Sequence, residues 1–446
     1  MPERAPRCRG ASVPFKVGVF GKCGAGNLGN DASLASLLAD LRSRHPDVLV
    51  DAMCSGPDTV KERYGIDAVP IQWGGRRETP SSPLAATGRQ LLGLVVDTVR
   101  IASWARRHDA LIVPGTGVLE ASLPLLPRAF PYAMLVLFVA GRLSGAKMAL
   151  VDVGAGRVNQ RSVRWVQDQV VRLATYRSFR DAGAREALGL RGHAVDRDQV
   201  YPDLAFALPT PFSGPGDPRT VGVGVMDYRG TNDDRKRGDE VRAAYIAEMK
   251  TFVRILVDDG RNVRILIGDA NGSDDEVAGE ILDDVRTYRP ALAPSRVLAE
   301  RITSFDDLMR AMADVSSVVA IRYHNVLGAL KLCKPTIAVG YSPKHKQLMC
   351  DMGVATFCHD VSTLDAVRLA EQLRELEARS DELRAVLRES TASASRRVQR
   401  QFVELSMAIF PEDAERRPVG RSAGAIPAAG VLELDTRASK VAGRRA

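Results

Sequence analysis

The sequence lacks several patterns that would assign the protein to a class directly. Its six cysteines form no C-x-x-C pair and have no regular spacing, so we predict free thiols and no disulfide framework. No apolar run long enough to cross a membrane is free of charged residues, and the basic N-terminus has no apolar middle like that of a signal peptide. These absences favour a reducing compartment, so we expect a cytoplasmic protein.

Aromatic residues are also scarce, at 5% of the chain, and this bears on the excess of positive charge. The formal net charge is +8, but residues 1–16 contribute +3 (four bases, one acid) and residues 411–446 contribute +2 (seven bases, five acids). The body between these tails is therefore close to neutral and offers no aromatic platform on which bases could stack. We expect no nucleic-acid partner. Weak attraction to an acidic surface, including peripheral contact with the inner face of the plasma membrane, stays open.

What the sequence does contain is a repeated alternation of strand and helix patterns. Residues 15–21 read as an apolar strand, a glycine-rich turn follows, and leucines then recur at helical spacing. The same order restarts after residues 209–220, which hold four prolines and two glycines. The pattern predicts an α/β protein of two Rossmann-like, doubly wound domains that face a cleft. The predicted parts are a disordered tail at 1–14, an N-terminal domain at 15–208, a linker at 209–220, a C-terminal domain with terminal helices at 221–410 and a disordered tail at 411–446.

Polar residues follow two neighbouring predicted strands at the points where these strands end. Arg322 and His324 come after the apolar segment SSVVAI, and Tyr341 and Lys344 come after TIAVG. The first glycine-rich turn, at the equivalent edge of the other domain, contains Gly26, Asn27, Gly29, Asn30 and Asp31. Because the C-terminal ends of parallel strands form the ligand crevice, we expect all three groups to meet in the cleft.

The residue types in this predicted cluster suit an anionic ligand. Arg322 can hold a carboxylate or phosphate with two parallel hydrogen bonds, and Lys344 adds a point charge. His324 can transfer a proton near neutral pH. The helix that begins near Asp31 presents free backbone N–H groups. This combination predicts a site for a small, strongly anionic substrate that must be protonated.

Each of these features also has an ordinary structural explanation. A glycine-rich turn can serve packing alone, and GKCGAGNLGN lacks the spacing and the following acidic residue of a dinucleotide site. A lone histidine is often structural. His345 and His359 lie nearby without the spacing of metal ligands, so we expect no metal. Cys23 has no identifiable base beside it, which disfavours nucleophilic catalysis.

Four segments resemble the polysaccharide pyruvyl transferase family. They are GVFGKCGAGNLGNDASLASLL, YRSFRDAGAREALG together with YPDLAFAL, AIRYHNVLGALKLCKPTIAVGYSPK, and LMCDMG, and they span roughly residues 17–353. The third segment is the most specific. The resemblance implies two Rossmann-like halves similar to GT-B glycosyltransferases. It also implies transfer of a pyruvyl group from phosphoenolpyruvate to two hydroxyls of a sugar on a glycan or lipid carrier, with release of phosphate and without a cofactor.

The resemblance also implies roles for individual residues. Arg322 and His324 would serve donor binding and acid catalysis. Lys344 would bind the anionic end of the donor, Arg180 would be a second anion ligand, and Tyr341 would also bind the donor. On the acceptor side, Asp31 would act as the base or, like Asn30, contact the acceptor, and Gly26, Asn27 and Gly29 would shape the loop.

Two departures from the family pattern concern the acceptor side. Family members commonly read G-D-E after the first glycine turn, whereas this chain has Asn30–Asp31–Ala32, which shifts the carboxylate by one position and turns it about 100° on a helix. A serine commonly follows R-D at a spacing of three, where this chain has Ala184. Two other functions stay open: a glycosyltransferase of GT-B architecture with a nucleotide-sugar donor, and a family member that binds anions without catalysis.

Overall fold

The computed structural model describes residues 14–74, 83–115, 117–120, 129–211, 214–230, 237–269 and 272–410, with side chains described from residue 88 onward in the second range. The predicted tails at 1–14 and 411–446 lie, apart from residue 14, outside the described residues. Two parallel β-sheets with alternating helices make up the described chain, and the prediction of an α/β fold with two facing Rossmann-like units is confirmed.

The first sheet has seven strands in the order β3-β2-β1-β4-β5-β6-β7. Its strands are β1 Lys16–Gly21, β2 Leu49–Cys54, β3 Asp67–Pro70, β4 Ala110–Pro114, β5 Lys147–Val153, β6 Tyr176–Phe179 and β7 Gln199–Val200. Its helices are α1 Leu28–Arg44, α2 Pro57–Tyr64, α3 Pro83–Ala105, α4 Phe130–Leu143, α5 Arg161–Leu173 and α6 Ala182–Gly189, and a 3₁₀ turn follows at Leu204–Ala207.

The second sheet has six strands in the order β10-β9-β8-β11-β12-β13. Its strands are β8 Asp217–Gly224, β9 Asn262–Leu266, β10 Val297–Ala299, β11 Val315–Ala320, β12 Thr336–Gly340 and β13 Cys358–Asp360. Its helices are α7 Gly238–Asp258, α8 Ser273–Tyr288, α9 Phe305–Ala313, α10 Tyr323–Lys331, α11 Pro343–Asp351, α12 Ala366–Ala378 and α13 Ser380–Ile409.

Both sheets therefore repeat one topology, in which the strand order reverses beside the first strand of each unit. The reversal lies between β1 and β4 in the first sheet and between β8 and β11 in the second. Loops that leave a sheet at such a switch point diverge and leave a crevice for a ligand. The glycine-rich turn follows β1, and Arg322 and His324 follow β11, so both predicted groups lie at switch points.

Helices cover the sheets and bury two apolar clusters. One cluster, with Trp104, Leu137 and Val170 among its members, fills the space between the first sheet and α3, α4 and α5. The other runs from Leu37 on α1 through the 3₁₀ turn to Leu327 on α10, and therefore continues from the first unit into the second. A shared core of this kind fixes how the two sheets face each other.

The last helix, α13, joins the two units a second time. The Gln401 side chain donates to Ser178 Oγ at 2.8 Å in the first unit, and Arg397 donates to the carbonyl of Val200 at 2.9 Å. Near its start, Arg384 donates to the carbonyl of Ser316 at 3.4 Å in the second unit. Within the described ranges, none of the helices has the length and apolar character needed to cross a bilayer.

Candidate active site

The glycine-rich turn of the first unit lies directly against the second unit. Asn27 and Asp269 form an isolated antiparallel bridge between the two backbones. Gly29 lies so close to His324 that a Cβ added at residue 29 would stand 1.8 Å from the imidazole Cε1. The two loops that the sequence placed at opposite edges of the cleft are therefore in contact.

His324 lies on the first turn of α10, immediately after β11 ends. Arg322 has extended backbone angles and forms the N-cap of this helix, so residues 323 and 324 begin the helical turn. The imidazole Nε2 lies 3.6 Å from Oδ2 of Asp203, and the side chain of His324 keeps 17% of its surface exposed. The ring also meets the rings of Tyr323 and Phe305 edge to face. Its environment thus combines one acidic partner with aromatic walls.

Asp203, which faces His324, is a buried carboxylate that stays ionised. Burial alone would raise its pKa, but hydrogen bonding to His324 and the charge of Arg180 outweigh burial and lower it. Its Oδ1 accepts a hydrogen bond from the backbone N–H of Ala205 at 3.0 Å, which fixes the side chain at the start of the 3₁₀ turn. A negative charge is therefore held rigidly beside His324.

A second carboxyl group, Asp152, lies behind Asp203 and behaves in the opposite way. It is fully buried at the end of β5 and has a φ of 57°, an uncommon backbone conformation for any residue but glycine. Burial, followed by the charge of Asp203, raises its pKa well above the ordinary value. Its Oδ1 has no hydrogen-bond partner, while Oδ2 accepts from the backbone N–H of Leu204 at 3.2 Å. The pKa values of the two neighbouring carboxyl groups are therefore shifted in opposite directions, upward for Asp152 and downward for Asp203.

Two cations lie over the ring of Tyr323, the residue between Arg322 and His324. The guanidinium carbon of Arg180 is 5.2 Å from the ring centroid, and Nζ of Lys344 is 5.7 Å from it. Burial, and then the charge of Arg180, lowers the pKa of Lys344, as expected for two neighbouring cations in a partly dry site. The pair forms a positive pocket with an aromatic floor.

Arg180 is held by acids on both sides and still has an unused donor. Its Nη2 lies 3.6 Å from Glu120 and its Nη1 lies 3.7 Å from Asp203. Its Nε is buried and has no hydrogen-bond partner. Burial opposes its charge, but Tyr323, Asp203 and Glu120 keep its pKa above the ordinary value. A buried guanidinium with a spare donor is suited to accept an anionic ligand.

Arg322 has a different environment from the one that the sequence suggested. Its Nε and Nη2 donate to both oxygens of the fully buried Asp274, at 2.9 and 2.6 Å. Asp269 lies 3.9 Å from its Nη1. The sequence predicts that the guanidinium of Arg322 binds a carboxylate or phosphate of the donor. In the structure it binds the protein's own carboxylate, Asp274. Asp274 also accepts from the backbone N–H groups of Asp227 and Gly268, so this cluster ties the ends of β8, β9 and β11 together.

The predicted acceptor-side residues mostly bond within their own loop. The Asn27 side chain caps α1 by accepting from the N–H groups of Gly29 and Asn30, and the Asn30 amide donates to the carbonyl of Lys22 at 3.3 Å. Asp31 is 3% exposed, and its carboxylate accepts from the Gly24 N–H at 2.6 Å and from Arg63 at 3.4 Å. Burial raises the pKa of Asp31, while Gly24 and Arg63 counteract the rise.

Gly26 and Tyr341 complete the set of predicted site residues. Gly26 has a φ of 87°, so the turn needs a glycine there. Tyr341 stands at the end of β12, with its ring 5.7 Å from that of Tyr228 and 6.0 Å from Nζ of Lys344. Burial raises its pKa. Tyr341 therefore belongs to the wall beside Lys344.

Two cavities meet at Lys344. The smaller has a volume of about 240 Å³ and lies against α13; its lining includes Arg180, Asp203, Tyr323 and Arg397. The larger, of about 410 Å³, lies between α6 and the start of α11, with Glu120, Arg157 and Ser342 in its lining. Asp181 and Lys344 line both cavities. Lys344 thus borders open space on two sides, and Arg180 borders the smaller cavity.

Sequence reasoning missed several residues of this site. Asp152, Asp203 and Tyr323 had a usable signal, because each stands at or just after the end of a strand, where ligand-contacting residues collect. Glu120 and Asp274 had no such signal in the sequence, since nothing near them in the chain indicates that they lie beside Arg180 and Arg322. Among the described residues, no group of three or more His, Cys, Asp and Glu side chains is arranged to hold a metal ion.

Solved structures define the class of this fold. The chain is similar to a UDP-N-acetylglucosamine 2-epimerase at 14% identity and a TM-score of 0.57, covering 92% of this chain and 99% of the other. It is similar to the UDP-GlcNAc 2-epimerase from Neisseria meningitidis, solved with UDP-GlcNAc, at 10% identity and a TM-score of 0.53, covering 88% and 99%. The glycosyltransferase SnogD from Streptomyces nogalater matches at 14% identity and a TM-score of 0.50, covering 89% and 100%. These likenesses define a GT-B-like fold.

The sequence itself identifies the family within this class. The profile of the polysaccharide pyruvyl transferase family matches residues 27–343. The chain therefore belongs to the polysaccharide pyruvyl transferase family, as its four segments indicated. None of the curated protein sequences matches it significantly.

Proposed function

We propose that the protein transfers the pyruvyl group of phosphoenolpyruvate to two hydroxyls of a glycan sugar as a cyclic ketal. The observation that supports this most is the pair of cations, Arg180 and Lys344, over the Tyr323 ring, one residue from His324. Phosphoenolpyruvate carries a carboxylate and a phosphate on a three-carbon skeleton. Two neighbouring cations can bind both ends, and the aromatic ring can contact the planar enol between them.

The chemistry requires a proton donor beside the methylene carbon of the donor. Protonation of that carbon forms the methyl group and makes the neighbouring carbon electrophilic, so that one sugar hydroxyl adds to it. A second hydroxyl of the sugar then displaces phosphate. The two hydroxyls release one proton each: one replaces the proton that was added to the methylene carbon, and the other leaves with the phosphate. A positioned acid contributes roughly 10²–10⁴-fold to such a step. His324 fills this role in our proposal.

Asp203 assists His324 in this scheme. Its ionised carboxylate faces Nε2 at 3.6 Å, so it attracts the protonated imidazole and fixes the orientation of the ring. Asp152, whose pKa is raised by burial and by the charge of Asp203, is the less readily ionised of the two carboxyl groups behind His324.

Arg322 and Asp31 take supporting roles in the proposal. Arg322 is a positioning residue, because its ion pair with Asp274 sets the start of the turn that presents Tyr323 and His324. Asp31 holds the glycine-rich turn in shape through Gly24 and Arg63. The acceptor sugar would enter the larger cavity, which is big enough for a sugar ring and is bordered by Glu120, Arg157 and Asp181.

A donor assay tests this proposal against its two alternatives. Phosphoenolpyruvate should raise the melting temperature of the protein, and UDP-sugars should not. Lys344→Met should abolish the effect, while Lys346→Met, two positions further along α11 and exposed, should retain it. Protection by a UDP-sugar alone would favour a glycosyltransferase. Protection by phosphoenolpyruvate without phosphate release in the presence of glycan acceptors would favour a non-catalytic anion-binding protein.

A further inference from the structure

An apolar surface on the first unit takes no part in the core or in the candidate site that the described residues form. Six large apolar side chains of α3 and α4 are between 40% and 78% exposed, and together we call them the α3–α4 face. They are Leu91, Leu92, Val95, Val99, Val139 and Leu143. Most exposed apolar residues occur singly on protein surfaces, whereas a continuous group of this size marks an interaction site.

The spacing of these residues places them on one side of each helix. On α3, Leu92, Val95 and Val99 follow each other at intervals of three and four, so they share one side of the helix. The opposite side of α3 places Ile101 and Trp104 in the core against the first sheet. A hydrogen bond of 2.8 Å between Thr98 Oγ1 and Tyr132 Oη joins α3 to α4. On α4, Val139 and Leu143 follow Tyr132 at intervals of seven and four, so they lie on the same side of that helix as Tyr132.

Arginines predominate among the charged residues of the three helices in this layer. Helices α3, α4 and α5 together contain six arginines, no lysine and two acids. Both acids are engaged within the protein: Asp97 accepts from the backbone of Trp73 and from Arg100, and Asp168 from Arg191 and His193. The exposed arginines of this layer are Arg89, Arg142, Arg161, Arg164 and Arg172. Trp165, between two of them on α5, is 58% exposed.

We propose that the α3–α4 face docks the protein on an anionic phospholipid bilayer. Apolar side chains that enter the headgroup region, with arginines around them and an amphipathic tryptophan beside them, form the usual pattern of a peripheral membrane surface. A second copy of the chain fits this surface less well. In a two-fold dimer through this face, arginines would lie against arginines without acids to compensate them.

Docking through this face leaves the cleft accessible. None of its six residues lines either of the two cavities at Lys344. The face belongs to the helix layer whose inner side packs on the first sheet, whereas the second unit shares its core with α1 on the other side of that sheet. The proposal therefore does not rest on the proposed function, and each can fail without the other.

Vesicle co-sedimentation of the full-length chain tests the proposal. We expect binding to vesicles of phosphatidylcholine with phosphatidylglycerol, little binding to phosphatidylcholine alone, and weaker binding at high salt. Val95→Asp with Val99→Asp should reduce binding by about tenfold or more. Val367→Asp, at a residue 56% exposed on α12 of the second unit, is the matched control and should bind like the unmodified chain.

Three results would overturn the proposal. If the double variant binds anionic vesicles as tightly as the control, the basic tails mediate binding and the face does not. Failure of the unmodified chain to bind such vesicles also overturns it, as does a dimer that the double variant converts to monomers without any vesicle binding. Should the double variant melt below the control, Val139→Ser with Leu143→Ser replaces it and must show the same loss.

Discussion

The imidazole Nε2 of His324 lies 3.6 Å from a carboxylate oxygen of Asp203, although the two residues belong to different units of the fold. His324 lies on the first turn of the helix after β11 of the second unit, and Asp203 caps the 3₁₀ turn after β7 of the first. The pair therefore exists only when the two units face each other. The proposed acid, His324, and the carboxylate that orients it, Asp203, therefore come together only at the cleft between the two units.

We expect Asp203→Asn to lower kcat by about 10²-fold and to change the apparent constant for phosphoenolpyruvate much less. The amide keeps the size of the side chain but removes the charge that faces His324, so the pH profile of kcat should also change. Steady-state kinetics over a range of pH measures this. Asp198→Asn is the control, because Asp198 is similarly buried but pairs with Arg177. Equal losses in both variants would mean that Asp203 acts only on stability.

Gly29→Ala should impair turnover without unfolding the protein. An added Cβ would stand 1.8 Å from the imidazole of His324, so the ring or the glycine-rich turn must move. We expect a reduction of kcat by at least about tenfold, since small displacements of a catalytic group are costly. Gly279→Ala on α8, where an added Cβ meets nothing within 4 Å, should keep full activity and gain up to about 1 kcal/mol of stability. Normal turnover in Gly29→Ala would contradict the assigned role of His324.

Arg322→Met should act mainly on stability. It leaves Asp274 as a fully buried carboxylate without its bidentate partner, and breaking a buried pair costs roughly 3–5 kcal/mol. Chemical denaturation of the variant measures this loss. Arg310→Met, which breaks a surface pair with Asp306, should cost no more than about 1 kcal/mol. A stable Arg322→Met variant with greatly weakened donor binding would restore Arg322 as the donor ligand that the sequence suggested.

Asp152→Asn should stabilise the protein more at neutral pH than at acidic pH. The pKa of Asp152 is raised in the folded state, so its contribution to stability is full below the unfolded pKa of about 3.9 and declines as pH rises. Asparagine removes this decline and also tolerates the positive φ at this position. Melting temperatures at about pH 5 and about pH 7 provide the measurement. The exposed Asp67→Asn is the control, and a pH-independent difference for Asp152→Asn would contradict a raised pKa.

The sequence was sufficient to predict the α/β fold and the sheet edges at which the candidate site lies. Apolar strand patterns ending in glycines or polar residues located β1, β11 and β12, and leucines at helical spacing located α1. Short edge elements such as β3, β10 and β13 escaped, because three or four residues carry too little periodicity. The terminal helices predicted for the second domain are α12 and α13, and the break between them at Arg379 has no glycine or proline that would signal it.

Side-chain partners within the site could not be read from the sequence. The sequence suggests that Arg322 binds the donor, because an arginine at a strand end can hold a carboxylate or phosphate with two hydrogen bonds. In the structure, Asp274 on the first turn of α8 accepts these hydrogen bonds. Asp31 was assigned to the acceptor, yet Gly24 and Arg63 engage its carboxylate. Such pairings depend on which loops the fold brings together. Arg180 and Lys344, in contrast, lie near each other over Tyr323, as the family resemblance suggested.

Transfer from labelled phosphoenolpyruvate in deuterium oxide, followed by mass spectrometry of the glycan acceptors, tests the proposed ketal transfer most directly. We expect a sugar that gains one pyruvyl ketal, contains every labelled carbon of the donor and carries one deuterium in its new methyl group, with phosphate released in equal amount. His324→Ala should form none of this product while it still binds the donor within about tenfold of the normal affinity. A labelled product that retains the methylene group, or normal turnover in His324→Ala, would contradict the proposed transfer and the role of His324.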